Sequence, residues 1–164
     1  MSDNIREFIE KQRVLGQAQL THFDPSNAEH QEHLSRYMFA TKYLNTPCRV
    51  LDIACGIGYG SRHLADSARG CDVVGLDLSA QAVSYAVSHF SSDKVEFMVG
   101  DGTKLLFPDD TFDYVTSFET IEHIPEYEAF LSELKRVLKP GGTIVLSTPN
   151  REFSNPLGCL ESRP

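Results

Sequence analysis

The chain has 164 residues, a net charge of −8, 41% hydrophobic and 23% charged residues, and no tryptophan. That describes one globular domain with a sizeable core, and the acidic balance disfavours a broad nucleic-acid surface, which needs clustered Lys and Arg. No apolar run approaches the roughly 18 residues that span a bilayer, and Met1-Ser-Asp-Asn-Ile-Arg6 is not a signal peptide, so the expected setting is the cytosol, away from membranes.

Residues 3–20 read as a polar helix with a thin apolar stripe of Ile5, Phe8, Ile9, Val14 and Leu15. Thr21 to Asn27 is a break with turn chemistry, and the spacing then predicts a second helix over 27–44 with Leu34, Tyr37, Met38 and Thr41 on one face. Asn45-Thr46-Pro47 ends it, because proline cannot continue a helix. His30 and His33, with Glu29 and Glu32, stand at helical spacing but lack a third ligand. They read as a solvated face, and no metal site is expected. His22, His63 and His89 carry no assignment. Cys48, Cys55, Cys71 and Cys159 show no C-x-x-C spacing, which points to neither zinc nor a redox dithiol but to buried, reduced thiols.

From Arg49 the pattern changes. A buried strand runs to Asp52 and breaks into a turn carrying Gly56, Gly58 and Gly60, and a second strand, Val73 to Asp77, also ends in a carboxylate. That pairing describes a pocket for a nucleoside-bearing cofactor at the carboxyl edge of a parallel sheet. The dinucleotide fingerprint G-x-G-x-x-G is not met, since Ser61 holds the place of its third glycine. Asp52 would repel a pyrophosphate and tolerates a cationic group instead. Ser79 is a plausible N-cap for a helix over 79–90 that buries Ala82, Val83, Ala86, Val87 and Phe90. A strand over Val95–Val99 leads to Gly100-Asp101-Gly102, and another ends at Phe118. A helix over 126–138 buries Tyr127, Phe130, Leu131, Leu134 and Val137 before a last strand ending at Ser147. Strands alternating with helices imply right-handed crossovers and an α/β, Rossmann-like, doubly wound and mostly parallel sheet. The division expected is an N-terminal helical cover (1–44), a cofactor-binding core (45–150) and an irregular tail (151–164).

The run Val50-Leu-Asp-Ile-Ala-Cys-Gly-Ile-Gly58, followed in order by Asp77, Asp101 and Leu138-Lys-Pro-Gly-Gly142, resembles the class I S-adenosylmethionine-dependent methyltransferases of small-molecule type. Ala54 stands where that family usually has glycine. The resemblance covers about residues 34–150 and implies S-adenosylmethionine as cofactor and S-adenosylhomocysteine as product. It implies roles residue by residue. Asp52 bonds the methionyl ammonium, directly or through water, and Ala54, Gly56 and Gly58 let the backbone approach the methionyl portion. Asp77 accepts from both ribose hydroxyls and Leu78 lies against adenine. Asp101, beside Gly102, accepts the adenine amine or forms an Asx turn. Phe118 and Glu119 border the sulfur. Tyr37 closes over the methionyl carboxylate with Arg36 nearby, or is a core residue. Gly60 contributes to ligand approach or to helix packing only. His123 is the candidate general base, with a structural histidine as the alternative and Glu119 and Glu122 behind it.

The function implied is in-line methyl transfer to a small molecule. A cofactor-binding module without turnover and an NAD-dependent oxidoreductase are the rivals. The family's sheet continues past its fifth strand, whereas residues 151–164 are too short and turn-rich to do so. The expectation is therefore a C-terminally truncated chain whose uncapped sheet edge lets two copies pair.

Overall fold

The computed structural model describes residues 24, 26, 28–67 and 70–149. The helix expected at 3–20, the tail at 151–164, His22, Cys159 and the Glu29 side chain lie outside the described residues.

Helix α1 (Ala28–Ala40) passes through a 3-10 turn (Thr41–Tyr43) to strand β1 (Cys48–Ile53). There follow α2 (Tyr59–Ser67), β2 (Cys71–Asp77), α3 (Ala80–Phe90), β3 (Val95–Val99), β4 (Phe112–Phe118), α4 (Tyr127–Val137) and β5 (Leu138–Ser147). All five strands are parallel, in the order β3-β2-β1-β4-β5. Right-handed crossovers therefore place α2 and α3 on one face and α4 on the other. Successive connections leave β1 and β4 in opposite directions, so the switch point lies between these two strands.

Period-two alternation splits the core into two layers. On one face Val50, Val73, Val95 and Tyr114 pack with Leu64 of α2 and with Tyr37 and Ala40 of α1. On the other, Leu51, Ile53, Val74, Leu76 and Val115 pack with Phe130, Leu134 and Val137 of α4. Ser79 caps α3 as its sequence suggests, its hydroxyl accepting from the Ala82 amide at 3.2 Å.

Four expectations need correction. The helical stripes are narrower than periodicity suggests: Met38, Val87, Tyr127 and Leu131 are exposed, because each helix meets one sheet face and only the residues on that line are covered. Ala82 and Phe90 are half-buried. His30 and His33 do not form a solvated face. His30 is buried, and His33 packs against the rings of Tyr37 and Tyr59. Finally, Cys48 and Cys71 are joined in a disulfide rather than reduced. They open β1 and β2, and the parallel register sets them side by side with Cα atoms 4.5 Å apart, a proximity that chain spacing does not reveal. Cys55 is a buried free thiol, and burial raises its pKa well above the usual range.

Candidate active site

The carboxyl ends of β1, β2 and β4 converge beside the switch point, where open α/β sheets bind ligands. The turn from β1 into α2 is made by three left-handed residues: Ala54 at φ 59°, Gly56 at 55° and Gly58 at 91°. At Ala54 this carries the strain that glycine would avoid. A Cβ built on Gly56 meets no atom within 4 Å, so this point of the turn faces open space. A Cβ on Gly60 would collide with the Tyr37 ring, so that glycine exists to admit the tyrosine.

The turn is held from two sides. In front, the Gly56 amide donates to Asp77 Oδ2 and the Ser79 amide to Asp77 Oδ1, both at 2.8 Å. One carboxylate thus fixes the β1 and β2 exits together while its side chain stays half-exposed. Behind, Asp52 is 0% exposed. Its oxygens accept from Ser61 Oγ at 2.6 Å and Thr116 Oγ1 at 2.8 Å, and the Tyr37 hydroxyl is a third donor. Burial pushes the Asp52 pKa up to about 6; the three hydrogen bonds oppose the rise and the nearby Asp77 charge adds to it. Burial likewise lifts Tyr37 well above the ordinary tyrosine range.

Asp52 and Tyr37 are therefore the floor of the site, with no surface open to a ligand in this conformation. Tyr37 is 2% exposed and meets Phe118 edge-on at 4.8 Å. Phe118 is buried with it. Leu78, by contrast, offers an apolar surface that is 47% exposed. Asp101 is exposed at the end of β3, and its Oδ1 accepts from the Thr103 amide at 2.8 Å and hydroxyl at 2.7 Å. Gly102 admits the Phe130 ring and the Ile53 side chain.

Beyond β4, Glu119 adopts φ 51° and donates its amide to the Ser147 carbonyl at 3.0 Å. Its Oε1 accepts from Ser147 Oγ at 2.7 Å and pairs with Arg36 Nε at 3.2 Å. Arg36 also pairs with Glu32 at 3.1 Å. His123 closes the following 3-10 turn with its side chain 54% exposed, and Nε2 stands 3.9 Å from Glu122 Oε1. Glu122 Oε2 accepts from Thr148 Oγ1 at 3.2 Å. At the start of α2 the Tyr59 hydroxyl lies 2.8 Å from His33 Nδ1. Burial, helped by the Arg36 charge, lowers the His33 pKa to about 4, and burial raises that of Tyr59 to about 12, so both are neutral at pH 7.

Sequence reasoning missed Thr116 and Ser147, and it missed the partnership of Ser61 with Asp52. A hydroxyl gives no pattern that reveals its partner on a distant strand. The edge gathers Asp77, Asp101, Glu119 and Glu122 around an open glycine turn and an exposed leucine, with Asp52 sealed beneath them. Such a surface suits a nucleoside-bearing ligand with a cationic group and disfavours a diphosphate.

Residues 51–146 match the family model described as "Methyltransferase domain". The chain is 40% identical over 115 residues to phosphoethanolamine N-methyltransferase 3 of Arabidopsis thaliana, which covers 65% of this chain and 23% of that protein. It is 36% identical over 124 residues to the sterol 24-C-methyltransferase ERG6B of Gibberella zeae, covering 73% of this chain and 31% of that one. Among solved structures, the PH0226 protein of Pyrococcus horikoshii OT3 superposes with a TM-score of 0.67 at 37% identity, over 77% of this chain and 61% of that one. The chain thus spans about a quarter to a third of those two curated relatives. With a match across more than half its length and the fold described above, the chain belongs to the methyltransferase domain family.

Proposed function

We propose that the chain binds S-adenosylmethionine at the carboxyl edge of its sheet and directs the methyl group to a small-molecule acceptor. The observation that carries this reading is the open space in front of Gly56, in a turn tied to Asp77 at 2.8 Å. A backbone without a side chain and a half-exposed carboxylate stand together where the methionyl and ribose portions would lie. When bound, the sulfonium supplies an electrophilic methyl group.

The residues then divide the work. Asp77 keeps its backbone partners and accepts from the ribose hydroxyls, since each carboxylate oxygen has two lone pairs. Leu78 covers one face of the adenine and Asp101 accepts its amine. Asp52 supports the methionyl ammonium from behind through its charge, its oxygens being committed to Ser61 and Thr116. His123, exposed beyond β4, takes the proton from an acceptor hydroxyl or amine. The protein's contribution to rate is alignment of the nucleophile within about 3–3.5 Å of the methyl carbon.

The acceptor atom is left open by the relatives' names, one an N- and the other a C-methyltransferase. A second reading is cofactor binding without turnover, in which the fold is kept and the acceptor site is missing; Ile144 and Leu146 of β5 are exposed on the sheet face that carries α4. The same exposed strand supports pairing of two copies, which sedimentation velocity would reveal. No helix among the described residues is long and apolar enough to cross a membrane. We place the chain in the cytosol, where the Cys48–Cys71 bond must compete with a reducing thiol pool.

Transfer of tritium from methyl-labelled S-adenosylmethionine into a panel holding a primary amine, a phenol and a sterol tests the proposal. Transfer to one member, abolished in Asp77→Ala, supports it. Binding of S-adenosylhomocysteine with transfer to none selects the second reading, and equal transfer by Asp77→Ala removes the site assignment.

A further inference from the structure

Arg36, Glu119 and Ser147 form a polar cluster that joins three elements. Arg36 belongs to α1, Glu119 follows β4, and Ser147 ends β5. Glu119 Oε1 accepts a hydrogen bond from the Ser147 hydroxyl at 2.7 Å and forms an ion pair with Arg36 Nε at 3.2 Å. The Glu119 amide adds a bond to the Ser147 carbonyl at 3.0 Å. Glu119 stays at φ 51°, a conformation that a glutamate adopts only when its surroundings hold it there.

On the opposite flank of the glycine turn, α1 makes a second polar contact, His33 to the Tyr59 hydroxyl at 2.8 Å, where Tyr59 is the first residue of α2. Helix α1 is thereby pinned on both sides of the switch point, to the element after β1 and to the residue after β4. The two pins differ. His33 and Tyr59 are neutral and largely buried, whereas Arg36 and Glu119 are charged and each 23% exposed, the weaker and water-accessible fastening. A fastening of that kind opens first when α1 moves.

We infer that Glu119 is a positioning residue whose pair with Arg36 latches α1 against the ends of β4 and β5 and so governs how fast the bound cofactor leaves. This rests on the cofactor reading given above. Glu119 touches α1 and β5 at once, so one carboxylate oxygen couples the helix to the strand ends that border the cleft. Loss of the charge frees the helix, while Glu119→Gln keeps the shape of the side chain.

The test is the dissociation rate of S-adenosylhomocysteine from the 164-residue chain, measured by competitive displacement of radiolabelled ligand. It compares wild type, Glu119→Gln, Arg36→Met and the double variant, with amide hydrogen exchange of residues 28–40 followed in parallel. Gln keeps an oxygen for Ser147 and removes only the charge; Met keeps the apolar stem of Arg36. The expected result is dissociation about three- to fivefold faster in each single variant, and no faster in the double, because both remove one shared interaction. Unchanged dissociation in variants whose sheet amides remain protected overturns the inference, and faster exchange in α1 with unchanged dissociation does so equally, since it leaves Glu119 a merely structural role. Additive effects in the double variant overturn the pairing. A wild-type chain that binds no S-adenosylhomocysteine overturns the cofactor reading, and the latch falls with it.

Discussion

On the β1–β2 side of the cleft, a disulfide joins the strand starts, Asp52 is sealed beneath the turn by Ser61, Thr116 and Tyr37, and Asp77 ties the two strand exits. On the β4–β5 side, the buried Ser117 Oγ has no hydrogen-bond partner among the described residues, Ile144 and Leu146 are exposed, and the polar residues meet in a half-exposed cluster around Glu119. The first side is built to hold one shape. The second retains surface and charge for something that arrives. Perturbing the first should therefore cost stability, and perturbing the second should cost activity while the fold survives.

The largest effect is expected at Gly60. The Tyr37 ring is buried and cannot swing away, so Gly60→Ala should lose about 3 kcal/mol or more in urea unfolding. Tyr37→Leu in the same chain should recover part of that loss. Next comes the disulfide. Cys48 and Cys71 are 23 residues apart, and closing a loop of that size is worth about 3 kcal/mol, so Cys48→Ala/Cys71→Ala should fall by that amount relative to the oxidised chain. A stability unchanged by either substitution would erase the contrast between the two sides.

Asp52 gives a smaller effect with a distinctive sign. Its pKa rises from 3.8 to about 6 on folding, so the folded chain binds more protons than the unfolded one between those values. Its contribution to stability therefore falls as pH rises from about 4 to about 6 and is flat above, a loss of about 2–3 kcal/mol. Comparing urea unfolding of wild type and Asp52→Asn from pH 4 to pH 7 isolates this slope, which the asparagine variant should lack. A slope of the opposite sign would mean that the hydrogen bonds from Ser61, Thr116 and Tyr37 outweigh burial. The smallest stability effect belongs to the other side: His123→Ala should unfold within about 0.5 kcal/mol of wild type. Any methyl transfer to a hydroxyl or amine acceptor should drop about 100-fold or more.

The contrast also separates what residues announce from what they do not. The strand ending in Asp52, the glycine turn and Asp77 were legible because backbone demands leave their mark locally: a left-handed turn needs glycine, and a strand exit in this fold ends in an acid. The N-cap at Ser79 was legible for the same reason. Three things were not. The pairing of Cys48 with Cys71 depends on strand register, which no spacing encodes. The burial of Asp52 depends on hydroxyls from α2 and β4 that arrive only when the sheet forms. The exposure of Tyr127 and Leu131 depends on how little of α4 the sheet covers, while periodicity reports only that one face is apolar. His30 and His33 were misread because histidine beside glutamate looks solvated, and only the approach of Tyr59 from α2 makes their face an interior one.

The central claim is that the space before Gly56 belongs to a cofactor, and Gly56→Ala tests it most directly. Ala54 already occupies φ 59° in this turn, so an alanine at φ 55° is compatible with folding, at a stability cost of about 1 kcal/mol. Calorimetric titration with S-adenosylhomocysteine, run beside NAD, should show the wild type binding the first and not the second. The alanine variant, folded by circular dichroism, should bind at least about tenfold more weakly. Equal affinity in the two proteins, or binding of NAD alone, would contradict the account.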